Sequence, residues 1–309
     1  MAEDGGAVMA VALYASCLSF LGGLFIVANW LLIRSSRIFF LKLIVYLSVA
    51  NMLSSASYVM AYIDSQVVVR QTECDEASSG DAACSPDVSC LIQAMFMLTF
   101  ENASILWSCA IAYTLHEQVV TKRPHVEHLA PYYHLCCWGC PLTIALALLL
   151  SHHLGPADAA PASWCWIRGV AMPHAPPHGH DARWMQVGVF YVPTVIAFTF
   201  NAVTYMRVGR AFRRLHREGA VETSKERLVQ WRLRLHLAVF VLVWAAPLVH
   251  RTLQIFDIDP YPLRLLHAAT QCSLGTLNGL VCALGVDSIP RDKVEGEGLR
   301  VKVGAKRER

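Results

Sequence analysis

Glu101 is the residue most in need of a chemical account. It sits with Asn102 and Ser104 in a polar knot inside the otherwise apolar stretch CLIQAMFMLTFENASILWSCAIAYTL, which runs from Cys90 to Leu115. At about 1.5 Å per residue a helix of this length crosses the ~30 Å hydrocarbon core of a bilayer. A carboxyl group at that depth is costly unless it faces other protein. Glu101 is therefore expected to point into a bundle, either as a ligand contact or protonation switch, or as a neutral contact to Asn201 or Asn278. Arg251 comes second, about one and a half turns from the end of a later apolar run. Its guanidinium suits a phosphate or carboxylate, or can snorkel to headgroups. His250, Arg168 and Arg264 are candidates to assist it. No nucleophile–base pair and no metal-ligand cluster stands out in the apolar regions, so neither an enzyme nor a cofactor is expected. The cysteines are too scattered for a zinc pattern, and nothing calls for a nucleic-acid partner.

The elements that must hold these residues follow from composition. The 309 residues are 55% hydrophobic and 16% charged, against about 25% charged in a typical soluble domain. Seven apolar segments are read as membrane helices: Ala7–Ile33, Ile38–Ile63, Val88–Leu115, Pro131–Ser151, Gln186–Val208, His236–Phe256 and Leu263–Val286. The expected fold is thus an all-α membrane protein, a seven-transmembrane helix bundle with the lipid bilayer as its solvent. The net charge is only +3, so its distribution matters more than its size. Nine Lys and Arg lie between Arg207 and Arg234, and seven between Arg291 and Arg309, with Arg34, Arg37, Lys122 and Arg123 on the same side. The opposite loops hold Arg70, Arg168 and Arg183. Positive residues collect in the cytoplasm, which puts the N-terminus outside and the C-terminus in the cytosol. The chain divides into residues 1–6 as a short extracellular N-terminus, 7–286 as the seven-transmembrane domain, and 287–309 as a cytosolic tail. The acidic start MAEDGG lacks a basic n-region, which argues for an uncleaved signal-anchor.

The loops add detail. Cys74, Cys84, Cys90 and Cys165 lie in or beside outer loops, where disulfides persist. Four cysteines allow three connectivities, and sequence alone does not choose. The expectation taken here pairs Cys90 with Cys165, tying the loop after helix 4 to the top of helix 3, and leaves Cys74 for Cys84. That loop is rich in Pro and His, and His174, His178 and His180 read as a solvated segment before they read as a metal or pH site. Inside, Arg210, Arg213 and Arg214 surround Phe212 in an amphipathic continuation of helix 5. Thr223 with Glu226 has the spacing of a capping box, opening an extension that carries Leu228 and Trp231 into helix 6. Such a surface suits a cytosolic protein or anionic lipid. Pro141, Pro193 and Pro247 each remove a backbone donor and should disturb their helices.

Specific strings narrow the class. APYYHLCCWGCP (Ala130 to Pro141) resembles the opening of helix 4 in the cyclic-AMP-receptor family of social amoebae, a class of G-protein-coupled receptor. Trp164-Cys165-Trp166-Ile167 is similar to that family's second outer loop, and Gly188 to Pro193 to its Phe-Tyr-x-Pro in helix 5. Val239 to Trp244 with His250-Arg251, and Ser104 to Trp107, resemble its helix 6 and helix 3. The likeness runs collinearly from about residue 38 to 275. It implies a plasma-membrane receptor for an extracellular small-molecule ligand, cyclic AMP or another small anion, acting on a heterotrimeric G protein. It also favours a pocket at Arg251 and gives Trp164 and Trp166 places beside the disulfide. His250 stands where the family more often has Asn, and the end of helix 7 lacks the aromatic-rich close of the family. Two other readings remain open at this stage: a seven-helix transporter or channel, and a degenerate receptor acting as a scaffold.

Overall fold

The computed structural model describes residues 2–32, 39–75, 88–123, 126–156, 165–167, 184–217, 224–256 and 258–286. Trp164, Arg168, Cys84, Thr223 and the three loop histidines lie outside these residues, as do the side chains of Cys74, Leu228 and Trp231. Helix α1 is Ala2–Leu32, α2 is Phe39–Asp75 and α3 is Val88–Val119. Helix α4 covers Glu127–Leu150 and α5 covers residues 184–217. Helix α6 is Ser224–Ile255; the last apolar segment forms α7 (Tyr261–Cys272) and α8 (Leu274–Val286). Five of these helices are long and apolar enough to cross a membrane, and Ala238–Gln254 and Leu274–Ala283 are shorter apolar helices.

Helix α3 occupies the centre. Two-thirds (67%) of its most apolar window is buried, against 28%, 22% and 28% for α1, α4 and α5, which turn most of their apolar surface outward as lipid-facing helices do. It packs against α2, α4, α5 and both short strands. On the α4 side the contact is aromatic: Trp107 is fully buried, with ring centroids 4.9 Å from Tyr46, 5.3 Å from His134 and 5.7 Å from Trp138. Leu43, Leu47, Ile111 and Cys137 complete that cluster. A second cluster, with Leu98, Ile105, Val243 and Trp244, fills the other half of the bundle.

The prolines act through the turn before them. Pro141 and Pro193 each lack the N–H that would bond four residues back, to Cys137 and Val189. Both of those residues lie in π-helical turns, Leu135–Gly139 and Val187–Tyr191. The wider winding moves the carbonyl away from the pyrrolidine ring. Pro247 instead stays inside an unbroken α6.

Three boundaries differ from the sequence expectation. Helix α1 begins at Ala2 rather than Ala7, and α2 continues to Asp75, well past Ile63. Apolar patterning marks where a helix meets lipid, not where its backbone stops. The final segment is interrupted at Ser273 instead of running unbroken from Leu263. At that break Gly275 N–H donates to Ser19 Oγ of α1 at 2.9 Å, replacing a helical bond. The approach is close enough that a Cβ on Gly275 would collide with Ser19 O, and one on Gly22 would meet Gly275 O at 2.5 Å.

Candidate functional site

A narrow cleft, partly open to solvent, lies among α2, α3, α5, α6 and α7. Its floor is Glu101, 4% exposed. Oε1 of Glu101 accepts from the Tyr58 hydroxyl and from Gln271 Nε2, the latter at 2.6 Å. These are the partners of the buried acid, in place of the Asn201 or Asn278 contact expected from sequence; Asn201 Nδ2 is instead 3.6 Å from Cys109 Sγ. A second, narrow hollow shares Tyr58, Glu101 and Gln271 and is lined by Asn51, Ser54 and Ser104. Glu101 thus stands in the wall between an aromatic cleft and a hydroxyl-rich one.

One side of the first cleft is aromatic. A short hairpin pairs Leu154–Pro156 (β1) antiparallel with Cys165–Ile167 (β2), with Gly155 opposite Trp166. The strands lie buried within the bundle because three bonds hold β2 there. Cys165 is joined to Cys90 at the top of α3 by a disulfide, its N–H donates to Gln93 Oε1 at 2.7 Å, and Gln186 Nε2 donates to Ile167 O at 3.1 Å. Trp166 meets Phe190 edge-on at 5.5 Å, and Phe190 lies 6.0 Å from Trp244. The Arg251 guanidinium rests over the Trp166 ring at 5.0 Å and donates to Gln254 Oε1 at 2.9 Å. The indole N–H groups of Trp166 and Trp244, both in the cleft wall, are buried without an acceptor among the described residues. A cleft with a guanidinium in its wall favours a ligand that carries acceptors.

A line of polar side chains leaves the cleft toward the α6–α7 connection. Beyond Gln271, His267 Nε2 meets the Gln271 amide, and His267 Nδ1 lies 2.7 Å from His250 Nδ1. His250 Nε2 lies 2.8 Å from Asp259 Oδ1, and Arg264 grips both Asp259 oxygens, with Nη2 at 2.5 Å and Nε at 3.2 Å. Burial alone would push the Asp259 carboxyl up. The bonds from His250 and Arg264, with the Arg264 charge, outweigh it and hold Asp259 below the usual carboxylate range.

The candidates from sequence therefore separate. Glu101, Arg251 and Trp166 meet in the cleft, while His250 and Arg264 do not line it and join it only through the polar line. On the opposite end of the bundle, Arg210, Arg213 and Arg214 are exposed on α5, and Phe212 packs with Val208 and Leu115. Sequence reasoning passed over Tyr58, Asp259, His267 and Gln271. For His267 and Gln271 a signal existed, since a spacing of four puts them on one face of a helix. For Tyr58 there was none.

A multi-helix membrane protein with a buried, cationic and aromatic cleft defines the class. The chain matches the family model "Slime mold cyclic AMP receptor" over residues 2–283, and it belongs to that family, which makes the fold a seven-transmembrane bundle. It is 25% identical to cyclic AMP receptor-like protein A of Dictyostelium discoideum over 198 residues, 64% of this chain and 44% of that protein. It is 30% identical to G-protein coupled receptor 1 of Arabidopsis thaliana over 219 residues, 70% of this chain and 56% of that one. With G-protein coupled receptor 157 of Homo sapiens it shares 26% over 211 residues, 67% and 55% of the two chains. The chain spans about half the length of the curated relatives it matches.

Proposed function

We propose that the protein is a plasma-membrane G-protein-coupled receptor whose cleft takes a small anionic ligand from the extracellular side, with cyclic AMP the first candidate. The observation that carries this reading is the Arg251 guanidinium lying over Trp166 in the wall of a cleft beside the disulfide-held hairpin. Family membership supports it, and so does the charge bias that puts the basic face of α5 in the cytosol, where Arg210, Phe212, Arg213 and Arg214, together with Leu228 and Trp231, would meet a heterotrimeric G protein. Ligand binding would favour a state in which α5 and α6 part at that end.

The test is labelled cyclic-AMP binding to intact cells with surface receptor counted in parallel, followed by G-protein dissociation. Saturable binding is expected in the wild type. Arg251→Ala should weaken it at least tenfold, since a bond to a charged group is worth about 1.5–3 kcal/mol. Ample surface protein with no binding detaches the chain from this ligand. Absence of G-protein dissociation with any ligand sinks the receptor reading in favour of a transporter or scaffold.

A further inference from the structure

The polar line from Asp259 to Glu101 can be counted in hydrogens, and ordinary ionisation states do not close the count. Asp259 is forked by Arg264 and ionised, so His250 Nε2 must donate to it. The His250–His267 contact, Nδ1 to Nδ1 at 2.7 Å, needs one hydrogen and has room for only one. His267 Nε2 to the Gln271 amide and the amide to Glu101 Oε1 each need one more. There are thus four links and four hydrogens to find. A neutral His250 and a neutral His267 bring one each, and Gln271 brings one along this line whichever way its amide is turned. The fourth has no source if Glu101 is a carboxylate and both imidazoles are neutral. Were it missing, two lone pairs would face each other among groups that are 2% (His250), 4% (His267) and 4% (Glu101) exposed.

We propose that this line is a proton-binding site. It takes up a single proton from the aqueous end at Asp259 and shares it between the His250–His267 pair and Glu101, so the charge facing the cleft changes with pH. The Gln271 amide follows the proton. With its nitrogen toward Glu101, the proton is on the histidines and Glu101 is a carboxylate. Turned over, the amide donates to His267 and accepts from a protonated Glu101. The other ionisable groups facing the line are Tyr58 from α2 and Cys272 from α7 at the Glu101 end, Arg251 from α6 beside His267 and Glu101, and Arg264 from α7 at Asp259. Arg251 opposes uptake and Asp259 favours it. If the receptor reading above holds, an anionic ligand binds together with this proton; the hydrogen count itself does not depend on that reading.

Glu101→Gln supplies the fourth hydrogen permanently and without changing shape. Titrated in lipid nanodiscs from about pH 9 to about pH 5, a range above the ordinary carboxylates, the wild type should bind one more proton per molecule than Glu101→Gln. Asp259→Asn, four links from Glu101, should lower the midpoint of that uptake, because the far end of the line loses its negative charge and the new amide, with Nδ2 toward His250, can supply the missing hydrogen itself. Equal titration curves for wild type and Glu101→Gln overturn the proposal. A one-proton difference that Asp259→Asn leaves in place overturns the sharing, since the proton would then be confined to Glu101. Infrared difference spectra of the unmutated protein give the answer without a variant. A protonated-carboxyl or imidazolium band rising through the same midpoint supports the site, and its absence rejects it.

Discussion

The Cys90–Cys165 disulfide closes a sequence separation of 75 residues, so removing it has a calculable cost. In the chain-entropy treatment a loop of that length gives about 4.5 kcal/mol at room temperature. That figure assumes a fully flexible chain. In a membrane the two helical stretches between the cysteines keep their internal hydrogen bonds when tertiary packing is lost. Counting only the connecting residues, on the order of 20, lowers the value to about 3 kcal/mol, because the dependence is logarithmic. The double variant Cys90→Ala/Cys165→Ala should therefore lose about 3–4.5 kcal/mol, and the bond from Cys165 N–H to Gln93 should not offset the loss. The assay is the melting temperature of detergent-solubilised protein, for wild type with and without reductant and for the double variant. With reductant, wild type and the variant should melt together, and without it the variant should melt clearly below oxidised wild type. If reduction leaves the transition unmoved, the hairpin is held by packing and by Gln93 and Gln186 alone, and the reasoning fails.

Two further outcomes follow from packing and charge. Gly275→Ala drives a Cβ into Ser19 O, a backbone atom that cannot swing away; a loss of about 1–3 kcal/mol is expected, read as lower melting temperature and surface yield, and an unchanged protein would refute the close α1–α8 approach. Asp259 is held below the usual carboxylate range, so its contribution is present above that range and is lost as pH falls through its own depressed value. Asp259→Asn should be less stable than wild type near neutrality, by on the order of 1 kcal/mol given its exposure, and the gap should close once pH falls below the carboxylate range, where Asp259 itself takes a proton; a gap that persists there would reverse the sign.

The membrane architecture was legible because lipid imposes one requirement on every crossing, an apolar run with internally satisfied backbone. Helix ends beyond the lipid carried no such mark, which is why α2 outran its apolar segment to Asp75 and α1 began at Ala2. The continuation of α5 past its apolar segment was visible because Arg210, Phe212, Arg213 and Arg214 alternate at helical spacing. In the cleft, Glu101 and Arg251 stood out because ionised side chains are rare in such segments. Tyr58, His267 and Gln271 did not, because a tyrosine or an amide in a helix takes its role from the faces it meets. Those meetings join α2, α3 and α7, residues far apart in the chain, and no local spacing encodes them. Asp259 looked like a loop carboxylate until Arg264 and His250 were seen on either side of it.

The buried hairpin has a kinetic consequence. Leu154, Trp166 and Ile167 sit deep among the helices, with β2 fastened at Cys90, Gln93 and Gln186. Its second strand also carries the aromatic wall on which the Arg251 guanidinium rests. Loosening β2 therefore moves the wall and the guanidinium together, so a bound solute should be lost mainly through faster escape.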